Sequence, residues 1–142
     1  MVSSCVNITF GIRNQNEKVR AGLVKAFVCE AERDLNDWLG ENSMHRPSIF
    51  LGLPIGILKE ILLISSQRGK GLATPALKNC IDLCVERFCT GIILNAVPQE
   101  KCPIDLVAWY ERHGFKVIGP SGLGQFMLLT LPGRAAATIS TN

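Results

Sequence analysis

The chain has 142 residues, of which 47% are hydrophobic, and its formal net charge is +3 at pH 7. That length suits one ordinary domain, and the apolar fraction excludes a disordered chain. The charge is too small to indicate a nucleic-acid-binding surface, which usually shows as a clustered basic stripe. It is compatible with a small polyanionic ligand.

Targeting signals and cysteine usage both indicate a cytoplasmic protein. No run of about 18 apolar residues is present, so we predict no transmembrane helix. The first residues lack the basic start and apolar block of a signal peptide. The cysteines have no C-x-x-C spacing and apolar neighbours, which predicts reduced thiols and no bound metal. They are Cys5, Cys29, Cys80, Cys84, Cys89 and Cys102.

The first third of the chain predicts a strand followed by a helix. Val6, Ile8, Phe10 and Ile12 alternate with other residues, as in a half-buried strand. Asn14 stands three residues before Glu17, an arrangement that resembles a capping box at a helix N-terminus. Apolar residues then recur at helical spacing as far as Gly40, which predicts one long helix or two short ones broken near residues 29–33. These residues are Val19, Leu23, Phe27, Ala31, Leu35 and Trp38.

The rest of the chain predicts alternating strands and helices. We expect a loop over 41–47, strands over 48–54 and 55–65, and a helix that runs to about Phe88 and is ended by Gly91. A strand over 91–97, a loop, and a helix from Pro103 to Gly114 follow. The segments 115–118 and 125–131 predict an antiparallel hairpin. The fold class is therefore α/β (α+β), a mixed sheet with helices on its faces, in one domain over 1–132 with a flexible tail over 133–142.

The segment SSQRGKGLATPALK, residues 65–78, places two glycines and two cations between the predicted central strand and a helix. It is not a P-loop, because Gly69-Lys70 is followed by Gly71 and not by Ser or Thr. It is not a dinucleotide fingerprint, because the sixth position counted from Gly69 is Thr74. The pattern [Q/R]xxGx[G/A], however, is satisfied at every position over 68–73.

On this motif the sequence resembles the GNAT superfamily of acyl-CoA-dependent N-acetyltransferases. LVAWYERHGF, residues 106–115, resembles the second signature of that family, in which aromatic, Tyr, Glu and basic residues precede Gly-Phe. The resemblance covers residues 57–131 well and 1–56 loosely. It implies a GNAT-like, mostly antiparallel sheet with helices on both faces and a shortened N-terminal half. The acceptor pocket, which that half normally shapes, is the feature most affected.

The physical chemistry of the turn agrees with a bound pyrophosphate. Glycine permits positive φ and close backbone approach, and amides at a helix N-terminus attract anions. The resemblance implies acetyl-CoA as cosubstrate, with its pantetheine along the backbone of Leu63 and Ile64. The alternatives are a tight turn with solvated charges and a cradle for another phosphate, such as that of a nucleotide. The pyrophosphate would contact Arg68, Gly69, Lys70, Gly71, Leu72, Ala73 and Thr74.

Acetyl transfer to an amine needs a base, an oxyanion donor and an acid. A free lysine-type amine has a pKa of about 10.4 and must lose a proton, while a leaving thiolate benefits from gaining one. The resemblance places Tyr110 where the family often carries the acid, and Glu60 where several members carry a carboxylate base. Asp105, Glu100, His45 and water are alternative bases.

These observations predict an N-acetyltransferase that transfers the acetyl group of acetyl-CoA to a primary amine of a small molecule or protein, directly in a ternary complex. The alternative is a catalytically inactive acyl-CoA-binding module of this fold, or an interaction protein. The sequence gives no indication of a membrane partner. A homodimer through the edge of the C-terminal hairpin is a further hypothesis.

Overall fold

The computed structural model describes residues 5–41, 52–97 and 105–133. Its strands are β1 (Cys5–Asn7), β2 (Phe10–Asn14), β3 (Val19–Cys29), β4 (Ile55–Leu63), β5 (Gly91–Ala96), β6 (Lys116–Pro120) and β7 (Gln125–Thr130). Its helices are α1 (Glu32–Glu41), α2 (Ala73–Glu86) and α3 (Leu106–Arg112), with a one-turn 3-10 helix at Ser65–Gln67.

All seven strands form a single sheet in the order β1-β3-β4-β5-β7-β6, and β2 pairs with β3 beside β1. The β4–β5 pair is parallel, and every other pair is antiparallel. Helix α2 makes the crossover between the parallel strands, as parallel pairing requires. The predicted fold class, a mixed and mostly antiparallel sheet, is confirmed.

The helices cover both faces of the sheet. On one face α2 and α3 bury a large cluster that includes Leu77, Cys80 and Tyr110. On the other face α1 buries Leu35 and Leu39 against a second cluster from β4, β5 and β7. None of the helices in the described ranges is long and apolar enough to cross a membrane.

The prediction of a helix after Asn14 is wrong over the first half of that segment. Residues 15–18 form a turn and β3 follows, so β2 and β3 are an antiparallel hairpin. The Asn14 side chain accepts hydrogen bonds from the amides of Asn16 at 3.0 Å and Glu17 at 3.1 Å. An Asx turn and a capping box share this spacing, so the local pattern could not separate them. The second half of the prediction does form a helix, α1, which begins at Glu32.

A β-bulge interrupts β3, but the helical pattern has another source. Ile12 pairs with Gly22 but Arg13 pairs with Arg20, so Ala21 is an extra residue in β3. A bulge shifts the alternation of side chains by one residue. The helical spacing within β3 came from Leu23 and Phe27, because residues four apart share a face in a strand as well as in a helix.

The C-terminal half follows the prediction with small differences. Helix α2 ends at Glu86, and Phe88, with φ of 61°, takes the left-handed conformation that we expected of Gly91. Gly91 instead begins β5, where a Cβ would lie 2.8 Å from the carbonyl oxygen of Leu129. Helix α3 ends before Gly114, as predicted, and the β6–β7 hairpin is confirmed.

Several predicted segments lie outside the described residues. They are the loop at 42–47, the first four residues of the predicted strand 48–54, the loop before α3 with Pro103, and the tail 134–142. The end of that predicted strand, residues 52–54, is described and is not a strand. Gly133, which we assigned to the tail, is buried.

Candidate functional site

Strands β4 and β5 part from each other near the middle of the sheet. Residues 56–58 pair with residues 92–94, after which β4 continues along β3 to Leu63 and β5 continues along β7 to Ala96 without further pairing to each other. At the same point Lys25 pairs with Glu60 and Ala26 with Leu58, so Lys59 forms a bulge in β4. A bulge bends its strand. The carboxyl-terminal ends of two parallel strands therefore border an opening that leads toward the glycine turn.

The glycine turn adopts a conformation that requires its glycines. Gly69 has φ of +76° and Gly71 has φ of +72°. A Cβ added to either residue would meet nothing within 4 Å, so the space beside them is open. The backbone conformation, and not a lack of room, therefore selects glycine here, because other L-residues are strained by roughly 1–2 kcal/mol in this region.

The turn presents amide groups at the start of α2. Leu72 is the N-cap and makes no side-chain cap, and the first turn carries no acidic residue. Ala76 donates to the carbonyl oxygen of Leu72 at 3.3 Å, the first hydrogen bond of α2, so the amides of residues 73 and 74 precede the hydrogen-bonded part of the helix. Pro75, in the first turn, has no N–H to satisfy. The positive end of a 14-residue helix thus faces open space, which is the geometry of an anion site.

Both cationic side chains of the glycine turn, Arg68 and Lys70, contact other groups of the protein. Arg68 donates from Nε to the carbonyl oxygen of Leu63 at 3.3 Å. Lys70 forms an ion pair with the carboxylate of Glu17, on the β2–β3 turn. The pKa of Glu17 is lowered, first by the hydrogen bond from Lys70 and then by that from Gln67.

The two residues predicted to pair with pantetheine differ in what their backbone presents. The amide of Ile64 donates to the carbonyl oxygen of Ala21 at 2.7 Å, which continues the β3–β4 ladder. Backbone groups of successive strand residues point to opposite sides. Leu63 therefore directs its N–H and C=O away from β3 and toward the opening, where Arg68 contacts the carbonyl.

Tyr110, the predicted acid, lies on α3 and is 8% exposed. Its ring packs edge-on against Trp109 at 5.0 Å and Phe115 at 5.4 Å between centroids. Burial, and secondarily the neighbouring thiol of Cys80, raise the pKa of Tyr110 to about 12. Its hydroxyl is therefore protonated at neutral pH and able to donate. Cys80 lies seven residues into α2, about 10 Å along the helix from the turn.

Glu60, the predicted base, lies directly after the bulge and forms an ion pair with Lys25 at 3.2 Å. Both side chains are about two-fifths exposed, at 40% for Glu60 and 43% for Lys25. Leu58, Ile61 and Leu63 all pack into the cluster under α2. Side chains alternate along a strand, so Glu60 lies on the opposite face from Tyr110.

The other candidate residues that the structure describes make contacts that stabilise the fold. The Asp105 side chain caps α3 by accepting from the amide of Ala108 at 3.2 Å. His113 ends α3 with its ring 4.7 Å from that of Trp109. None of the described cysteines forms a disulfide, and the described ranges contain no group of three or more His, Cys, Asp or Glu that could hold a metal ion. Glu100 and His45 lie outside the described residues.

Sequence reasoning missed the side chains that join the glycine turn to the β2–β3 turn. Asn14 and Gln67 are buried and hydrogen-bond to each other at 2.8 Å. Reading residues 14–40 as a helix hid this contact. A signal was present, because the polar residues 14–17 separate two apolar stretches, as a hairpin turn does.

Comparison with known proteins identifies the fold. No protein-family model matches this sequence, and no curated protein matches it. Among solved structures, PaiA N-acetyltransferase from Thermoplasma acidophilum, in complex with coenzyme A, has a TM-score of 0.59 at 12% identity, covering 88% of this chain and 61% of that chain. An acetyltransferase from Bacillus cereus ATCC 14579 has a TM-score of 0.57 at 16% identity, covering 89% and 74%.

An acetyltransferase of the GNAT family from Listeria monocytogenes 4b F2365 has a TM-score of 0.55 at 15% identity, covering 84% of this chain and 62% of that chain. The chain thus spans less than two thirds of the Thermoplasma and Listeria proteins. These likenesses show that the fold is that of the GNAT acetyltransferases, in agreement with the resemblance seen in the sequence.

Proposed function

We propose that this chain, which has the GNAT fold, transfers the acetyl group of acetyl-CoA to a primary amine. The observation that carries the proposal is the glycine turn. Its residues 69–74 lie exposed or half-buried at the start of α2, next to the opening between β4 and β5. Coenzyme A carries a pyrophosphate joined to pantetheine, an extended chain that contains amide groups. Such a ligand matches an anion site that lies beside two separated strands.

The residues present fit acetyl-CoA in two places. The backbone amides of the turn and the hydroxyl of Thr74 would hold the pyrophosphate, and Arg68 would supply positive charge. The backbone of Leu63 would pair with pantetheine in the opening, and β5 would form the other wall. Arg68 now donates to Leu63, so binding would exchange that bond for contacts to the ligand. Ile64 contributes less, since its amide is already used by β3.

The chemistry is a direct transfer in a ternary complex, in which acetyl-CoA supplies an activated thioester. Glu60 or water accepts the proton of the amine, a C–N bond forms as the C–S bond breaks, and Tyr110 gives its proton to the sulfur. The raised pKa of Tyr110 keeps that proton in place at neutral pH. Cys80, Cys84 and Cys89 are buried and need no nucleophilic role.

Isothermal titration calorimetry of acetyl-CoA tests the binding step. We expect the wild type to bind and Gly71→Asp and Arg68→Glu to lose binding, because each puts negative charge beside the phosphates. Gly122→Asp and Arg87→Glu are matched controls, since Gly122 has open space around it and Arg87 lies at the far end of α2. A folded wild type that does not bind acetyl-CoA overturns the proposal, and ATP would then be tried on the same turn.

A second candidate is an acyl-CoA-binding module without turnover. The observation in its favour is that Glu60 is paired with Lys25 and lies on the opposite face from Tyr110. Release of free thiol from acetyl-CoA over a panel of small amines and lysine peptides separates the two candidates. Amine-dependent release that Tyr110→Phe reduces supports the enzyme, and tight binding without any release supports the module.

The homodimer hypothesis has a structural basis in β6, which is an edge strand of the described sheet. Its residue Val117 is 43% exposed. Unpaired edge strands are ready to pair with a second copy. Sedimentation equilibrium of the wild type and of Val117→Lys would test this pairing. The cytoplasmic location and the acceptor's identity stay predictions for cellular experiments.

A further inference from the structure

A buried pair of amide side chains links the glycine turn to the β2–β3 turn. Asn14 and Gln67 are each 5% exposed, and they are the buried polar side chains of the described residues. Asn14 donates from Nδ2 to Oε1 of Gln67 at 2.8 Å across 53 residues of sequence. A buried amide costs stability unless it is paired, so this contact favours one relative placement of the two turns.

Glu17 completes the link. Its carboxylate accepts from Nδ2 of Asn14 at 2.8 Å, from Nε2 of Gln67 at 3.5 Å, and from Nζ of Lys70. The side chain of Asn14 also accepts hydrogen bonds from the backbone amides of Asn16 and Glu17, which stabilises the β2–β3 turn. Both turns are therefore joined by a closed set of hydrogen bonds. We call Asn14, Glu17, Gln67 and Lys70 the clamp.

The glycine turn has little else to hold it. Gly69 and Gly71 carry no side chain and have open space around them. The hydrogen bonds of its N-terminal part are short-range. They run from the amide of Gln67 to Ile64 at 2.8 Å, from the amide of Arg68 to Ser65 at 3.3 Å, and from Nε of Arg68 to Leu63 at 3.3 Å. A flexible turn would have to be ordered by its ligand, and ordering each residue costs about 1–2 kcal/mol of entropy.

We propose that Asn14 and Glu17 are positioning residues for this turn: by holding Gln67 and Lys70, they keep the amides of residues 69–74 converged before an anion binds. The inference rests on the proposed function, because it assigns those amides to a phosphate. It adds that affinity for the phosphate depends on a hairpin which does not itself contact the ligand. Preorganisation of this kind raises affinity by lowering the cost of ordering.

A double-mutant cycle tests the clamp. Asn14→Leu, Gln67→Met and the double variant remove the buried amides and keep similar volumes. Dissociation constants for acetyl-CoA and for inorganic pyrophosphate are measured on folded protein. We expect each single variant to weaken binding of both ligands about tenfold, the scale of one buried hydrogen bond. The double variant should weaken it no more than the worse single variant, because the bond can be lost only once.

A destabilised control shows whether stability alone matters. Val28→Ala leaves a cavity in the core, because Val28 on β3 is 1% exposed. Val28 is not part of the clamp. We expect it to lower the melting temperature without changing either dissociation constant. Unchanged affinity in the clamp variants, or effects that simply add, overturns the inference while leaving the proposed function standing.

The remaining outcomes separate the two proposals. A wild type that binds pyrophosphate but not acetyl-CoA overturns the proposed function, and the cycle on pyrophosphate then still decides the role of the clamp. A wild type that binds neither ligand overturns both.

Discussion

Arg68 donates a hydrogen bond from its side chain to the carbonyl oxygen of Leu63 at 3.3 Å. The residue expected to attract phosphate thus covers the backbone group expected to pair with pantetheine. Lys70, two positions further on, is held by Glu17 instead. The two cations of the turn are therefore not equivalent, and their different partners lead to the first prediction.

Arg68→Gln should weaken acetyl-CoA binding about tenfold. Lys70→Gln should weaken it by less than about threefold, because the new side-chain amide can still donate to Glu17 and keep the clamp closed. The charge of Lys70 is already balanced by Glu17, whereas Arg68 contacts a neutral carbonyl group, so Arg68 contributes more net attraction. The measurement is the dissociation constant as a function of salt concentration. The slope should flatten in the Arg68 variant more than in the Lys70 variant. Equal effects from the two variants would contradict this assignment.

Tyr110 should titrate with a pKa near 12, because burial and the nearby Cys80 favour its neutral form. It is the sole tyrosine of the chain, so tyrosinate absorbance reports on it directly. The folded pKa lies above the ordinary value of 10, so this group's stabilising contribution is complete below pH 10 and is lost as pH rises toward 12. The loss should be about 2–3 kcal/mol in the free energy of unfolding.

Tyr110→Phe is the control for that titration, since it removes the absorbance change and the associated loss of stability. A midpoint near pH 10 in the folded wild type would show that the hydroxyl is in contact with water and not shielded by the core.

Tyr110→Phe should also lower kcat by about 100-fold with little change in KM for acetyl-CoA, the usual scale for removing a general acid. Glu60→Gln should lower kcat less, because water can replace a base that is solvated and paired with Lys25. Steady-state rates as a function of pH give the comparison. If Glu60→Gln has the larger effect, Glu60 must leave Lys25 during turnover and act directly.

Cys5 and Cys29 should close a disulfide when the protein is treated with an excess of oxidised glutathione. They are register partners on β1 and β3, and their Sγ atoms are 3.0 Å apart. Directly opposed strand residues have Cα separations within the range of disulfides. The two thiols lose their hydrogens as one oxidised glutathione is reduced to two molecules of glutathione. Peptide mass mapping should find this pair linked in the wild type and absent in Cys5→Ser.

The β2–β3 hairpin shows why part of the fold could not be predicted. The choice between a helix and a strand over 19–29 depends on pairing with β2 and β4, which are non-local contacts. Local spacing was ambiguous because Leu23 and Phe27, four residues apart, share a face in a strand as well as in a helix. The strand over 55–63, by contrast, was readable from its apolar run, since a strand with neighbours on both sides needs few polar residues.

The sequence by itself determined the glycine turn and the GNAT fold of the C-terminal half. Positive φ at Gly69 and Gly71 is a property of glycine, and the strand, turn and helix around them follow from local periodicity. The tertiary structure alone decided what the polar side chains of that turn contact. Gln67 meets Asn14, and Lys70 meets Glu17, only because the β2–β3 hairpin folds against the end of β4. Hydrogen bonds between residues 53 positions apart leave no periodic trace in a sequence, since they depend on how separate elements pack.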